Sequence, residues 1–287
     1  MSVIRLLARW SCTVGLPCLV LLGAPSGAAA QTRKVPPGAG TGAAPALVEQ
    51  SAVEVADSLL AAFDMEGSYT ALTARLEAEP DDFEARWRAT RLAIGFGIMG
   101  PDAEARRAWL RIADDHGSQL LRIRPGDPEA LAWAAAAKGQ RAIVEDGSRT
   151  VANLARDAWS LTGRLLAARP DHPLGNHVRG KVHQEVARLP AVKRFVARLF
   201  LGSRLVGQAK WELAEEHILR AISGDPGMVL FYLDLGETYR YQGKTTEAVA
   251  TYRRGLAVPD RFPVDARFKA TMRSRLATLE GRPPGTP

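Results

Sequence analysis

Cysteine is almost missing from this chain of 287 residues: it has two, Cys12 and Cys18, both within the first thirty. Beyond residue 30 there is none, which excludes a disulfide framework, a thiolate zinc site and a cysteine nucleophile from the body of the chain. Long apolar runs are scarce as well. The stretch 14–22 carries Pro17 and falls well short of the ~20 residues that a spanning helix needs. No segment of useful length alternates with period two, so a sheet has no signature here. There is no HExxH motif, and no serine stands in a coordinated set with an acid and a histidine. What remains is a composition of 46% hydrophobic and 24% charged residues, with six Trp and 18 Pro, which fits a globular domain and neither a disordered nor a collagen-like chain.

The amino terminus reads as an export signal. Arg5 and Arg9 form a positive n-region, 14–22 an apolar h-region, and Ala28-Ala29-Ala30 before Gln31 a small-residue cleavage site. Neither cysteine suits a lipobox. The expected organisation is a signal peptide over 1–30, a Gly/Pro/Ala-rich flexible linker over 31–45, a helical repeat domain over 46–280 and a disordered tail over 281–287. The expected location is outside the cytoplasm, periplasmic or secreted, with cleavage after Ala30.

The body reads as all-α. Apolar residues recur at helical spacing, as in Val151, Leu154, Ala155, Ala158, Leu161, Leu165 and Leu166. A punctuation repeats: Leu76 with Pro80, Leu121 with Pro125, Leu166 with Pro170 and Ile222 with Pro226, each pair four apart and each proline followed by Gly or Asp. Proline cannot continue the helical hydrogen-bond ladder, so these are helix stops. Their spacing belongs to a solenoid rather than a single bundle. Ten residues after each proline stands Thr90, Ala135, Gly180 or Gly236, small enough for two helices to approach closely. The predicted antiparallel pairs are 81–96 with 102–123, 127–144 with 148–168, and 172–188 with 190–223. The last pair is interrupted by Pro190 and by Gly202-Ser203, with its main helix from about 209.

Residues 229–259 resemble a tetratricopeptide repeat: Tyr232, Leu235-Gly236, Tyr239, Gly243, Ala248, Tyr252 and Leu256 stand in that motif's order and spacing. Gly255 departs from the motif's usual alanine and reads as a local loss of helix propensity only. The segment Asn176-His177-Val178, Gly180, His183, Glu185-Val186-Ala187, followed by 195–202 and then Leu235-Gly236-Glu237-Thr238-Tyr239, is similar to the tetratricopeptide-like family that includes the regulators of microtubule dynamics. The resemblance covers roughly 81–279. It implies a right-handed α-solenoid of antiparallel helix pairs and, in eukaryotic relatives, a microtubule or organelle-contact role through protein binding.

In such a stack the first helix of each pair lines the concave groove, which selects His177, Lys181, Gln184 and Glu185 in one repeat and Leu233, Glu237, Arg240 and Tyr241 in the next as partner-facing residues. His172, His177 and His183 invite a metal reading, but separations of five and six residues do not put two ligands on one helical face, and His183 reads as a packed core residue. The glycine-rich run 95–101 lacks a preceding strand and a Lys-Ser/Thr pair, so it reads as a helix end and turn rather than a phosphate loop.

The formal charge of +7 is uneven. Two charges belong to Arg5 and Arg9. Between residues 175 and 210 eight basic residues face one acid, Glu185, which leaves everything else in the cleaved chain slightly acidic. Within 190–204, Val192, Phe195, Val196, Leu199 and Phe200 form an apolar stripe, and Lys193, Arg194, Arg198 and Arg204 supply a basic patch. The sequence thus predicts an exported, non-enzymatic protein-interaction scaffold without cofactor or metal. Its partner would be a protein or peptide in the groove, and not nucleic acid. The alternative is a peripheral module acting on an anionic membrane surface through 190–204. An enzyme stands third, and the oligomeric state is open.

Overall fold

The computed structural model describes residues 51–190 and 207–281. Every regular element among them is a helix: α1 (Ala52–Ala61), α2 (Met65–Ala78), α3 (Phe83–Met99), α4 (Ala103–Ile123), α5 (Pro128–Val144), α6 (Ser148–Ala168), α7 (Pro173–Ala187), α8 (Trp211–Gly224), α9 (Val229–Tyr241), α10 (Thr245–Ala257) and α11 (Asp265–Leu279). All lie in one compact unit, Val48–Pro287. The expected signal, linker, tail and basic helix, with Lys193, Arg194, Arg198 and Arg204, fall outside the described residues apart from their edges.

The prolines set the register. Helices α2, α4, α6 and α8 end in C-caps at Glu79, Arg124, Arg169 and Asp225, each one residue before a repeat proline and each extended to a similar degree, with ψ of 79–85°. A residue preceding proline is driven out of the α region, so the helix must stop there. Two residues after the proline comes the next N-cap. Asp82, Asp127 and His172 each accept a hydrogen bond from a first-turn backbone N–H, and Met228 holds the place in the fourth repeat without a side-chain bond.

The proline carbonyl recurs as an acceptor as well. Arg86 Nη2, Asn176 Nδ2 and Tyr232 Oη, each six residues on, donate to the carbonyls of Pro80, Pro170 and Pro226, the last two at 2.8 and 3.1 Å. In the second repeat that place is Leu131, which has no side-chain donor, and Arg164 Nη2 reaches across from α6 to the Pro125 carbonyl at 2.6 Å. Four different residues thus satisfy one acceptor that the broken ladder leaves open.

Helices pack in sequence as antiparallel pairs, α3 on α4, α5 on α6, α7 on α8 and α9 on α10, with α1–α2 before them and α11 after. Close approach depends on small residues as expected. A Cβ on Gly180 would lie 2.7 Å from Ile218 Cγ1 and 3.0 Å from the Ala214 carbonyl, and one on Gly236 would lie 2.2 Å from the Tyr252 ring. Gly243 makes the α9–α10 turn at φ +75°, which glycine adopts without strain. Gly255 corrects the reading of a mere propensity loss: a Cβ there would meet Met272 Sδ and Tyr232 Cβ, both at 2.7 Å, so this glycine lets α10 pack between α9 and α11.

The run 95–101 lies mostly inside α3, which extends to Met99, three residues beyond the predicted end. Gly95 and Gly97 are buried against Met65 and Leu110.

The two ends of the solenoid meet. Phe262, in the α10–α11 connection, packs into the amino-terminal core of Ala56, Leu60, Leu72 and Leu92. The guanidinium of Arg91 lies 5.3 Å from the Phe262 ring centre. Ile98 of α3 joins the carboxy-terminal core around Phe231 and Phe268. The concave side is therefore closed over part of its length.

Candidate interaction surface

The first-helix positions chosen from the sequence do not form one open wall. His177, Gln184, Leu233 and Glu237 are buried; Lys181, Glu185 and Arg240 are partly exposed, and Tyr241 is 37% exposed. The cause is a residue that the groove spacing passes over, Asp234. It is 5% exposed and points back into α7, with Oδ2 2.8 Å from His177 Nε2 and Oδ1 2.7 Å from Lys181 Nζ. Gln184 completes the contact: its Oε1 accepts from Lys181 Nζ, and its Nε2 donates to the Asp234 carbonyl and to Thr238 Oγ1.

Burial disfavours charge on Asp234, but Lys181 and His177 outweigh it and hold the carboxyl well below its usual range. Burial likewise opposes the Lys181 ammonium, and Asp234 and Glu185 raise its pKa nonetheless. This cluster joins α7 to α9 across neighbouring repeats, so His177, Lys181 and Gln184 act on the fold's own register, while Glu185 pairs with Lys181 and Arg188 on its own helix.

Glu237 is similarly occupied. It accepts from Tyr252 Oη at 2.7 Å, from Arg240 at 2.6 Å and from Arg275 of α11 at 2.9 Å. Burial works against its charge, and these donors hold its pKa down. The spacing rule could not supply Arg275 as a partner, because α11 lies beyond the repeat.

Exposed chemistry begins at the carboxy-terminal ends of α7 and α9. The Tyr241 ring has the guanidinium of Arg240 at 4.3 Å and that of Arg188 at 5.2 Å, and its hydroxyl accepts from Arg188 Nη1 at 2.8 Å. Trp211, the first residue of α8, stacks beside it with ring centres 6.2 Å apart. Glu185 pairs with Arg188 at 2.7 Å. Two arginines against a tyrosine and a tryptophan make a rim of polar edges and apolar faces, the residue types over-represented at protein contacts.

Where the concave side closes, it leaves a cavity of about 110 Å³. Its wall includes Arg91, Ile94, Gly95 and Ala136, which stand in earlier repeats at the offsets from proline used to select Lys181, Gln184 and Glu185. The groove positions thus face an interior space in the amino-terminal repeats and a repeat interface farther on. The wall is otherwise apolar, with Trp133, Leu230, Phe231 and Phe268. Two polar side chains border it. Burial lowers the Arg91 pKa to about 10, and its Nε is buried without a hydrogen-bond partner. Asp265 accepts from the backbone N–H groups of Arg261 and Phe262 through Oδ2, while its buried Oδ1 has no partner; burial raises its pKa.

The histidines are dispersed. His172 caps α7 with Nδ1, His177 is bound to Asp234, and His183 is buried against Trp159 and His217. Among the described residues no three metal-ligating side chains gather, and no helix is long and apolar enough to cross a membrane.

The profile of the family described as regulator of microtubule dynamics protein 1-3 matches residues 52–280. No curated protein matches the chain. A thermophilic TPR protein of Thermus thermophilus is similar in structure at 17% identity and a TM-score of 0.55, over 80% of this chain and 97% of that one. At this identity the likeness shows the fold. Weaker likenesses include MamA protein, at 16% identity and a TM-score of 0.39 over 71% of this chain and 88% of that one. The human IFIT1 dimer with m7Gppp-AAAA gives 17% and 0.46 over 80% of this chain and 54% of that one.

Proposed function

Because this chain belongs to the regulator of microtubule dynamics protein 1-3 family, we propose that it is a non-enzymatic interaction scaffold that docks a protein or peptide partner on the Arg188–Arg240–Tyr241–Trp211 rim. Tetratricopeptide-like folds generally bind such partners, and both fold and family are typically non-enzymatic. The observation that carries the reading is Tyr241, a large exposed side chain that keeps two guanidinium groups against its ring while Phe231 to Thr238 of the same helix are buried. An acidic or aromatic segment complements that rim in charge and shape. The amino-terminal export pattern supports action outside the cytoplasm, and cell fractionation with a tagged chain tests it: retention in the cytosol with an uncleaved amino terminus removes that part. The basic segment 190–204 supports a supplementary contact with anionic lipid, removed if vesicles containing anionic lipid fail to float the protein.

A second reading rests on the cavity. About 110 Å³ lined by Trp133, Phe231 and Phe268, with Arg91 and Asp265 on its border, suits the apolar portion of a small amphiphile. Ala136→Leu, which projects into this space, should abolish uptake of an apolar fluorescent probe while leaving the fold intact. Unchanged uptake by that variant removes the second reading and leaves the rim untouched.

A further inference from the structure

Arg179 of α7 has no role in the rim, the cavity or the repeat register. It is 8% exposed, and its guanidinium lies over Trp159 of α6 at 3.7 Å from the ring centre. One donor, Nη2, reaches the Trp159 carbonyl at 3.0 Å. Among the described residues no carboxylate stands within ion-pair distance and no other hydrogen bond is made by this side chain. That sets it apart from its counterparts. Lys181 is held by Asp234, Lys138 by Asp114, and Arg88 by Asp57 and Glu84. Arg86, which also lacks a carboxylate, has the Pro80 carbonyl and His116 Nδ1 instead. A charge taken out of water without a counter-charge is costly, and burial lowers the Arg179 pKa to about 10.

The surroundings are built, and no carboxylate is paired with the guanidinium. His183, one turn along α7, is 2% exposed, and its Nδ1 has no hydrogen-bond partner. Its ring stacks on His217 of α8 with centres 5.6 Å apart and meets Trp159 edge-on at 5.1 Å. His217 Nδ1 bonds Asn176 Oδ1 at 2.8 Å. Gly163 of α6 leaves room for the guanidinium, since a Cβ there would stand 3.0 Å from Arg179 Nη2. The charged groups that bear on the two histidines are Arg179 itself and, from α8, Glu216 and Arg220; the last two pair with each other at 2.7 Å.

We propose that Arg179, backed by Trp159 and flanked by His183 and His217, forms a binding site for a small oxyanion, a carboxylate or phosphate group. The guanidinium presents a planar fork that matches either group, and the neutral His183 imidazole can turn a donor toward it. The site is independent of the proposed rim.

The test is a titration of the full chain with inorganic phosphate and, separately, acetate, at constant ionic strength set by chloride. Binding is read from the imidazole nitrogen signals of His183 and His217 and from the Trp159 indole signal. Saturable shifts with at least one anion are expected; their absence with both, or equal shifts on adding chloride alone, overturns the proposal. Saturation by phosphate only assigns a phosphate site, and saturation by acetate only a carboxylate site. Arg179→Gln should weaken binding at least tenfold, whereas Arg220→Gln should leave it within twofold; equal affinity in Arg179→Gln also overturns the proposal. If Arg179→Gln fails to fold, Arg179→Lys, which keeps the charge and loses the fork, should bind several-fold more weakly, and affinity equal to the natural chain then overturns the proposal.

Discussion

The imidazole of His177 and the carboxylate of Asp234, 57 residues apart in the chain, meet at 2.8 Å between α7 and α9, and Lys181 reaches the other oxygen of the same carboxylate at 2.7 Å. One acidic side chain therefore satisfies two basic ones inside the solenoid.

Removing that acid takes a partner from each. Asp234→Ala should destabilise the domain by about 3 kcal/mol, because buried His177 loses its hydrogen-bond partner and Lys181 is left with Glu185 alone, at 3.3 Å. Asp234→Asn, which keeps the shape and one acceptor, should cost less. Urea unfolding measures both; a loss under about 1 kcal/mol for Asp234→Ala, the size of an exposed pair, would mean that the cluster does not hold α7 against α9.

Gly255→Ala sets two effects against each other. Alanine gains about 1 kcal/mol of helix propensity over glycine. Its Cβ would meet Met272 Sδ and Tyr232 Cβ at 2.7 Å each, and overpacking of that kind costs ~1–3 kcal/mol. The contact wins because Tyr232 Cβ is fixed by its own helix, so the variant should be less stable. A variant more stable than the natural chain would show that α11 yields freely.

Acid should weaken the domain before its carboxylates titrate. Burial lowers the pKa of His116, His183 and His217 to about 4 from an ordinary 6.5, and the charge of Arg86 beside the first and of Arg179 beside the other two adds to it. A histidine kept neutral by folding binds its proton more readily when unfolded, so its stabilisation is complete above pH 6.5 and is lost as the pH falls toward 4. For His183, the most buried, that loss is on the order of 3 kcal/mol. Melting followed from about pH 7.5 to about pH 4 should show a steady decline, less steep in His183→Phe. A flat profile across that window would contradict the burial of the histidines.

The solenoid was legible because its signals are local. Pro80, Pro125, Pro170 and Pro226 each stop a helix one residue before themselves, and Gly180 and Gly236 mark the tight crossings, so helix pairs follow from spacing alone. The concave surface was less legible because it depends on what lies opposite. The spacing that selects Lys181 and Glu237 is correct for the inner side of the repeat, yet Asp234 and Arg275 fill that side, and the return of Phe262 to the core at Leu60 closes it farther back. Tyr241 and Arg240 keep the exposure that the spacing implied, because they sit at the end of α9. Arg188 and Trp211 were missed; they lie at the C-cap of α7 and the start of α8, outside the positions that a regular repeat would nominate.

The most direct test of the interaction account is quantitative crosslinking and mass spectrometry in the native host, comparing the natural chain with an Arg188→Glu, Tyr241→Ala double variant. Both substitutions are at the surface, so stability should change by no more than about 1 kcal/mol. The account predicts at least a tenfold loss of one specific crosslinked partner while thermal unfolding stays the same. Recovery of that partner undiminished by the double variant would contradict it.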